Sequence, residues 1–169
     1  LSLFCAIGVR KSQHHRKEKL MAFSLSAGSL ALLAKAHPDL QAFVKRLIQV
    51  TPIDFKVGET ARTLARQKQL VKIGASKTLN SRHLVGKDGF SHAVDLHAFS
   101  GGEVRWDWPL YYQIASAAQK VAIELDLPIR WGGAWKDLRT LSGPATKWTA
   151  GVRFMDGPHY ELPAIKKYS

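Results

Sequence analysis

A single cysteine, Cys5, excludes any internal disulfide, so the chain is not one of the stapled scaffolds typical of small secreted domains. No stretch approaches the roughly 20 apolar residues that a membrane helix needs, so no stable membrane insertion is expected. The apolar opening from Leu1 to Val9 has the length of a signal-peptide core. Its basic residues, Arg10, Lys11, Arg16 and Lys17, follow it rather than precede it, and no small-residue cleavage site comes after. Repeats and low-complexity linkers are missing too, and 169 residues can bury a core of their own, so one domain suffices. Acidic residues are scarce: 13 Asp and Glu stand against 25 Lys and Arg, a net charge of +12. Such a field attracts polyanions of any kind, whether nucleic acid, anionic lipid or acidic wall polymer. A nucleic-acid binder should add a basic stripe interleaved with aromatics. Here the cations are spread along the chain, with one dense run at Arg16-Lys17-Glu18-Lys19, and no specific nucleic-acid partner is expected.

What is present divides unevenly. Residues 1–20 differ in character from the rest and are expected to be a non-native or disordered extension, with Met21 as the natural start and 21–169 as the folded domain. His14 and His15 are therefore left out of the search for ligands. A short helical pattern runs from Ser29 to Ala36. Pro38 suits the first turn of a second helix, whose Leu40, Phe43, Val44, Leu47 and Ile48 repeat at three and four. Ile53 to Val57 alternates like a strand, and Thr63 to Ile73 reads as a helix stopped by Gly74. Ala93 to Phe99 is again strand-like. Asp107 and Pro109 open a helix with a buried stripe of Tyr111, Ile114, Ala118, Val121 and Leu125. Ile129 to Trp131, Val152 to Met155 and His159 to Leu162 are short strand candidates. Helices alternating irregularly with short strands predict an α+β fold, a small antiparallel sheet with flanking helices.

Groups able to bind metal concentrate in three places: Ser81-Arg82-His83, His92-Ala93-Val94-Asp95-Leu96-His97 and Asp156-Gly157-Pro158-His159-Tyr160-Glu161-Leu162. A catalytic zinc takes three nitrogen or oxygen ligands and keeps one position open for water. Hydrolysis also needs a carboxylate to carry the proton. The chain holds enough groups for every role, but composition does not assign them. Taken singly, each has a quieter explanation: a lone histidine is usually a surface or core residue, and Asp156 before Gly157-Pro158 suits a plain turn.

Together the segments Thr78-Leu79-Asn80-Ser81-Arg82-His83-Leu84, His92-Ala93-Val94-Asp95-Leu96 and Asp156 to Leu162 resemble the motifs of the M15 family of zinc peptidases. That family includes D-alanyl-D-alanine carboxypeptidases of the VanY type and phage L-alanyl-D-glutamate endopeptidases, with a hedgehog/DD-peptidase-like fold. The run from His37-Pro38-Asp39-Leu40 through Thr51-Pro52-Ile53-Asp54-Phe55 to Arg62-Thr63-Leu64 and Arg66-Gln67 is similar to the phage branch, so the resemblance spans about Met21 to Leu162.

The resemblance implies His83, Asp95 and His159 as ligands of a Zn2+ cofactor, Asp156 as general base and then acid, and Arg62 as the cation that steadies the substrate carbonyl. Ser81 and Gln67 are weaker candidates for substrate contact or support. Trp131-Gly132-Gly133-Ala134-Trp135 is similar to a family stretch that lines the cleft. Members usually place the aspartate roughly seven positions after the first histidine. Here Asp95 stands twelve after His83, because Lys87-Asp88-Gly89-Phe90-Ser91 is inserted after Gly86. A surface loop absorbs five residues at small entropic cost, but the insertion leaves His92 as an alternative first ligand. The implied activity is cleavage of peptidoglycan stem peptides, with the L-alanyl-D-glutamate bond favoured because the base is Asp and no signal or anchor is seen. A D-alanyl-D-alanine carboxypeptidase and a non-catalytic module binding the cell wall or another polyanion are the alternatives. The expected setting is a monomeric phage endolysin, held in the host cytoplasm until lysis.

Overall fold

Residues 22–168 are described by a computed structural model. The expected extension and Met21 lie outside the described residues. Helix α1 (Ala27–Leu33) begins at Ser26, whose hydroxyl accepts the Ser29 N–H at 3.1 Å. Helix α2 (Pro38–Val50) follows and buries Leu40, Phe43, Val44, Leu47 and Ile48, the apolar face that its period of three and four implies. Strand β1 (Asp54–Glu59) leads to α3 (Leu64–Lys72), a helix with a single buried side chain, Gln67. Strands β2 (Ala93–Ser100) and β3 (Glu103–Val104) form a hairpin before the long α4 (Trp108–Glu124). Strands β4 (Arg130–Trp131) and β5 (Lys136–Asp137), the short helix α5 (Ala145–Trp148) and strand β6 (His159–Glu161) complete the frame.

All pairings are antiparallel, in the order β1-β2-β6-β4-β5, with β3 on the free length of β2. Alternation gives the sheet two unlike faces. Phe55, Val57, Val94, Leu96, Ala98 and Tyr160 turn to the core, where Phe43 of α2 lies 6.0 Å from the Tyr160 ring. Asp95, His97, His159 and Glu161 occupy the alternate positions, so the other face carries the polar groups. Register then does the decisive work: Asp95 and His159 are directly opposed across β2 and β6.

Three local expectations fail. Val152 to Met155 forms no strand: the segment is turn and bend, with Phe154 and Met155 exposed and the Phe154 carbonyl taken by the Trp135 indole N–H. Leu125 caps α4 and is exposed rather than part of its buried stripe. Asp107 stands at the N-cap of α4 without capping it, its carboxylate being turned to Arg105 Nε at 2.8 Å.

Candidate functional site

The three motif segments meet on the polar face of the sheet, beside a cleft of about 540 Å³. His83 Nε2, Asp95 Oδ1 and His159 Nδ1 form a triangle with every side 3.2 Å. Two of these atoms come from opposed strand residues. His83 comes from a loop, which is tied to the β1 side by the bridge between Arg62 and Leu84 and by the Arg62 N–H to His83 carbonyl bond of 2.8 Å.

The outer nitrogens explain what the triangle is for. His83 Nδ1 sits 2.7 Å from the Thr60 carbonyl, which can only accept, so Nδ1 carries the hydrogen in the neutral ring and Nε2 offers a lone pair. His159 Nε2 lies 3.0 Å from Glu161 Oε2, which fixes the opposite tautomer and turns the Nδ1 lone pair inward. Three electron pairs therefore converge with no hydrogen between them. Such an arrangement repels itself unless a cation sits among the donors. Ligands of a tetrahedral zinc stand about 3.3 Å apart, so spacing and donor set both fit that ion.

Electrostatics point the same way. Burial opposes ionisation of Asp95, yet the adjoining His83 and His159 imidazoles hold its carboxyl far below the usual carboxylate range. Burial alone would lower His159, but hydrogen bonds to Asp95 and Glu161 and their charges push it up to about 10. Burial likewise opposes the charge on Glu161, but His159, Arg130 and Arg82 keep its carboxyl below the ordinary value.

Asp156 and Arg62 line the same cleft. Burial raises the Asp156 carboxyl, with Asp95 adding to the effect and His159, His83 and Arg62 opposing it. Arg62 is paired with Glu59, donates to Gln67 Oε1 at 2.8 Å and stands 3.8 Å from Asp95 Oδ2, while its buried Nε has no hydrogen-bond partner among the described residues. Gln67 is fully buried, and its amide nitrogen holds Ser76 Oγ at 2.8 Å and the Thr78 carbonyl at 2.6 Å. It therefore acts as a fixed strut between Arg62 and the cleft wall. Ser81 also lines the cleft, where its hydroxyl accepts the His83 N–H at 3.3 Å and shapes the turn that carries His83.

His92 is not part of this triangle. It precedes β2 and is stacked on His37 at 5.4 Å, with Asp88 of the insertion 3.0 Å from Nε2. His97 shares the polar face with Asp95, but it fills the space above Gly58 and packs on Trp106 at 4.9 Å.

Several contributors escaped the reading of the sequence. Glu161 is one, although its place two residues after His159 on a strand was a usable signal. The Thr60 carbonyl is another, and no side-chain pattern could announce it. The Trp131 to Trp135 stretch turns out to clamp the Asp156 loop. Gly132 exchanges backbone hydrogen bonds with Asp156 and His159, and a Cβ there would lie 2.5 Å from the Asp156 carbonyl oxygen. Trp131 Nε1 holds the Gly157 carbonyl at 2.8 Å, and the Trp135 ring lies 5.3 Å from His159.

Frame and cleft together define a peptidase, and comparison with known proteins says of which kind. The phage L-alanyl-D-glutamate peptidase family matches residues 21–163, and the chain belongs to that family. The L-alanyl-D-glutamate peptidase of Escherichia phage T5 is 26% identical over 146 residues, 84% of this chain and 99% of the relative. That of Listeria phage A118 is 30% identical over 137 residues, covering 79% of this chain but 40% of the longer relative. Among solved structures, the Serratia marcescens L-Ala D-Glu endopeptidase ChiX is similar with a TM-score of 0.66 and 34% identity. That match covers 86% of this chain and 94% of the other.

Proposed function

We propose that the chain is a zinc-dependent endopeptidase that hydrolyses the L-alanyl-D-glutamate bond of peptidoglycan stem peptides, with His83, Asp95 and His159 as the metal ligands. The observation that carries this reading is the triangle of three inward lone pairs at 3.2 Å, each histidine locked in the required tautomer from behind. Zinc, when bound, supplies a Lewis acid that polarises a carbonyl and makes water a nucleophile near neutral pH.

The protein does the rest. Asp156, with its carboxyl raised by burial, takes a proton from the attacking water and delivers it to the departing amine nitrogen. Arg62, immobilised by Glu59 and Gln67, faces negative charge as it develops on the carbonyl oxygen, where a preorganised cation needs no reorientation. Glu161 and the Thr60 carbonyl keep the two imidazoles aimed while this happens.

As a phage lysin the protein would accumulate in the host cytoplasm as a monomer and reach the wall at lysis. None of the helices among the described residues is long and apolar enough to cross a membrane. The positive charge of +12 suits an anionic envelope.

The test is mass spectrometry of purified peptidoglycan digested with the protein, with and without chelator. New free amino groups on D-glutamate, abolished by chelation and restored by zinc, are expected. Release of D-alanine alone would reassign the enzyme as a carboxypeptidase, and an absence of product would leave a wall-binding module.

A further inference from the structure

Four cations line the cleft: Arg62, Lys77, Arg82 and Arg130. Three are committed within the protein. Arg62 is held by Glu59 and Gln67. Arg82 donates to the carbonyls of Leu162, Pro163 and Tyr168 at 2.9, 3.3 and 2.7 Å. Arg130 is bonded to Glu161 at 2.8 Å and to the Trp135 carbonyl at 3.2 Å. Among the described residues Lys77 has no carboxylate or carbonyl partner; its ammonium rests 5.8 Å from the centre of the Phe154 ring. That contact orients a charge but leaves all its hydrogen-bond donors available.

Its position is fixed from two sides. The neighbours of Lys77 on either side, Ser76 and Thr78, are both held by the Gln67 amide, whose oxygen holds Arg62. One buried side chain therefore sets the spacing between the carbonyl-facing cation and Lys77. Along the opposite wall, His159 packs on Trp135 at 5.3 Å, Trp135 stacks on Phe154 at 6.3 Å, and Phe154 meets Lys77. This aromatic path leads away from the metal triangle and ends at a free ammonium. Asp156, the group that hands a proton to the leaving amine, stands two residues from Phe154. The residue on the amine side of the cut bond therefore lies along this wall.

On the reading above, that residue is a glutamate acylated on its nitrogen. A glutamate has two carboxyl groups and only one can continue the peptide, so the other projects sideways as a carboxylate or as its amide. We infer that Lys77 is a specificity-determining residue that binds this free carboxylate, so that the enzyme prefers stem peptides carrying the acid over those in which it is amidated. This inference rests on the proposed endopeptidase function. A charge-assisted bond at an exposed position discriminates by roughly two- to fivefold.

The experiment measures kcat/KM on two synthetic stem peptides that differ only in this group, D-glutamate or its side-lying amide, with products identified by mass. Wild type is expected to favour the acid roughly two- to fivefold. Lys77→Met should cut the acid no better than the amide, losing more on the acid than on the amide, and Lys77→Arg should restore most of the preference. Equal rates on both peptides in wild type, or an equal loss on both in Lys77→Met, would overturn the role of Lys77 alone. Failure of wild type to cut either peptide at the L-alanyl bond would overturn the endopeptidase reading and this inference with it.

Discussion

Among the described residues, two groups contain two histidines and an aspartate within reach of one another: His83, Asp95 and His159 in the cleft, and His37, Asp88 and His92 around the insertion. Residue type does not separate them, but the atoms behind the ligands do. In the cleft, a carbonyl and a carboxylate hold the outer nitrogens and turn both lone pairs inward. At the insertion, His37 Nδ1 accepts the Asp39 N–H at 3.1 Å as the cap of α2, so its hydrogen sits on Nε2, and His92 Nε2 faces Asp88 at 3.0 Å; among the described residues no carbonyl or carboxylate holds either ring from behind. The two groups thus differ in what stands behind the rings, and the insertion group is better described as a helix cap beside a histidine–carboxylate contact.

The sharpest way to break that contrast is to count metal. His159→Ala should take bound zinc from one equivalent to none and abolish wall hydrolysis, whereas His37→Asn with Asp88→Ala should retain the full equivalent by elemental analysis. Two equivalents in wild type would show that the insertion group is a site after all. Asp156→Asn should keep its zinc and lose roughly 10²- to 10⁴-fold in kcat, the usual weight of general acid–base catalysis. Glu161→Gln probes the second layer directly, and competition with a chelator should reveal metal affinity weakened about 10- to 100-fold. Gly132→Ala drives a methyl group into the Asp156 loop and should lower stability by about 1–3 kcal/mol in denaturant unfolding. Asp88→Ala alone should shift stability by less than about 1 kcal/mol and leave activity within twofold, since the exposed half of its ion pair with His92 is screened.

The same contrast marks what could be read in advance. Helix α2 was legible residue by residue because its apolar period is strong. The triangle was legible as three motifs in family order. The supports were not: Thr60 contributes a carbonyl, Gly132 contributes the absence of a Cβ, and neither leaves a trace in side-chain chemistry. Strands β3 and β5 are two residues each, shorter than any period can register, and α5 has only four; β4 is as short but lies within the Ile129 to Trp131 run read as a strand. Val152 to Met155 has strand-like composition, but its carbonyl at Phe154 is claimed by an indole, and the segment serves as cleft wall. His83 and His92 could not be separated by spacing, because only the tie between Thr60 and His83 reveals which side of the insertion belongs to the cleft.

The Thr60 carbonyl oxygen has a second visitor, the Ser91 hydroxyl at 3.0 Å. His83 before the insertion and Ser91 that closes it are therefore moored to one atom. Whatever chain lies between them hangs outward from that mooring, and changes in its length are not felt by the imidazole. Residues 87–90 are in this sense a free port: peptide tags or wall-targeting segments spliced there should leave the catalytic frame undisturbed, while the same cargo placed between Asp156 and His159 would not.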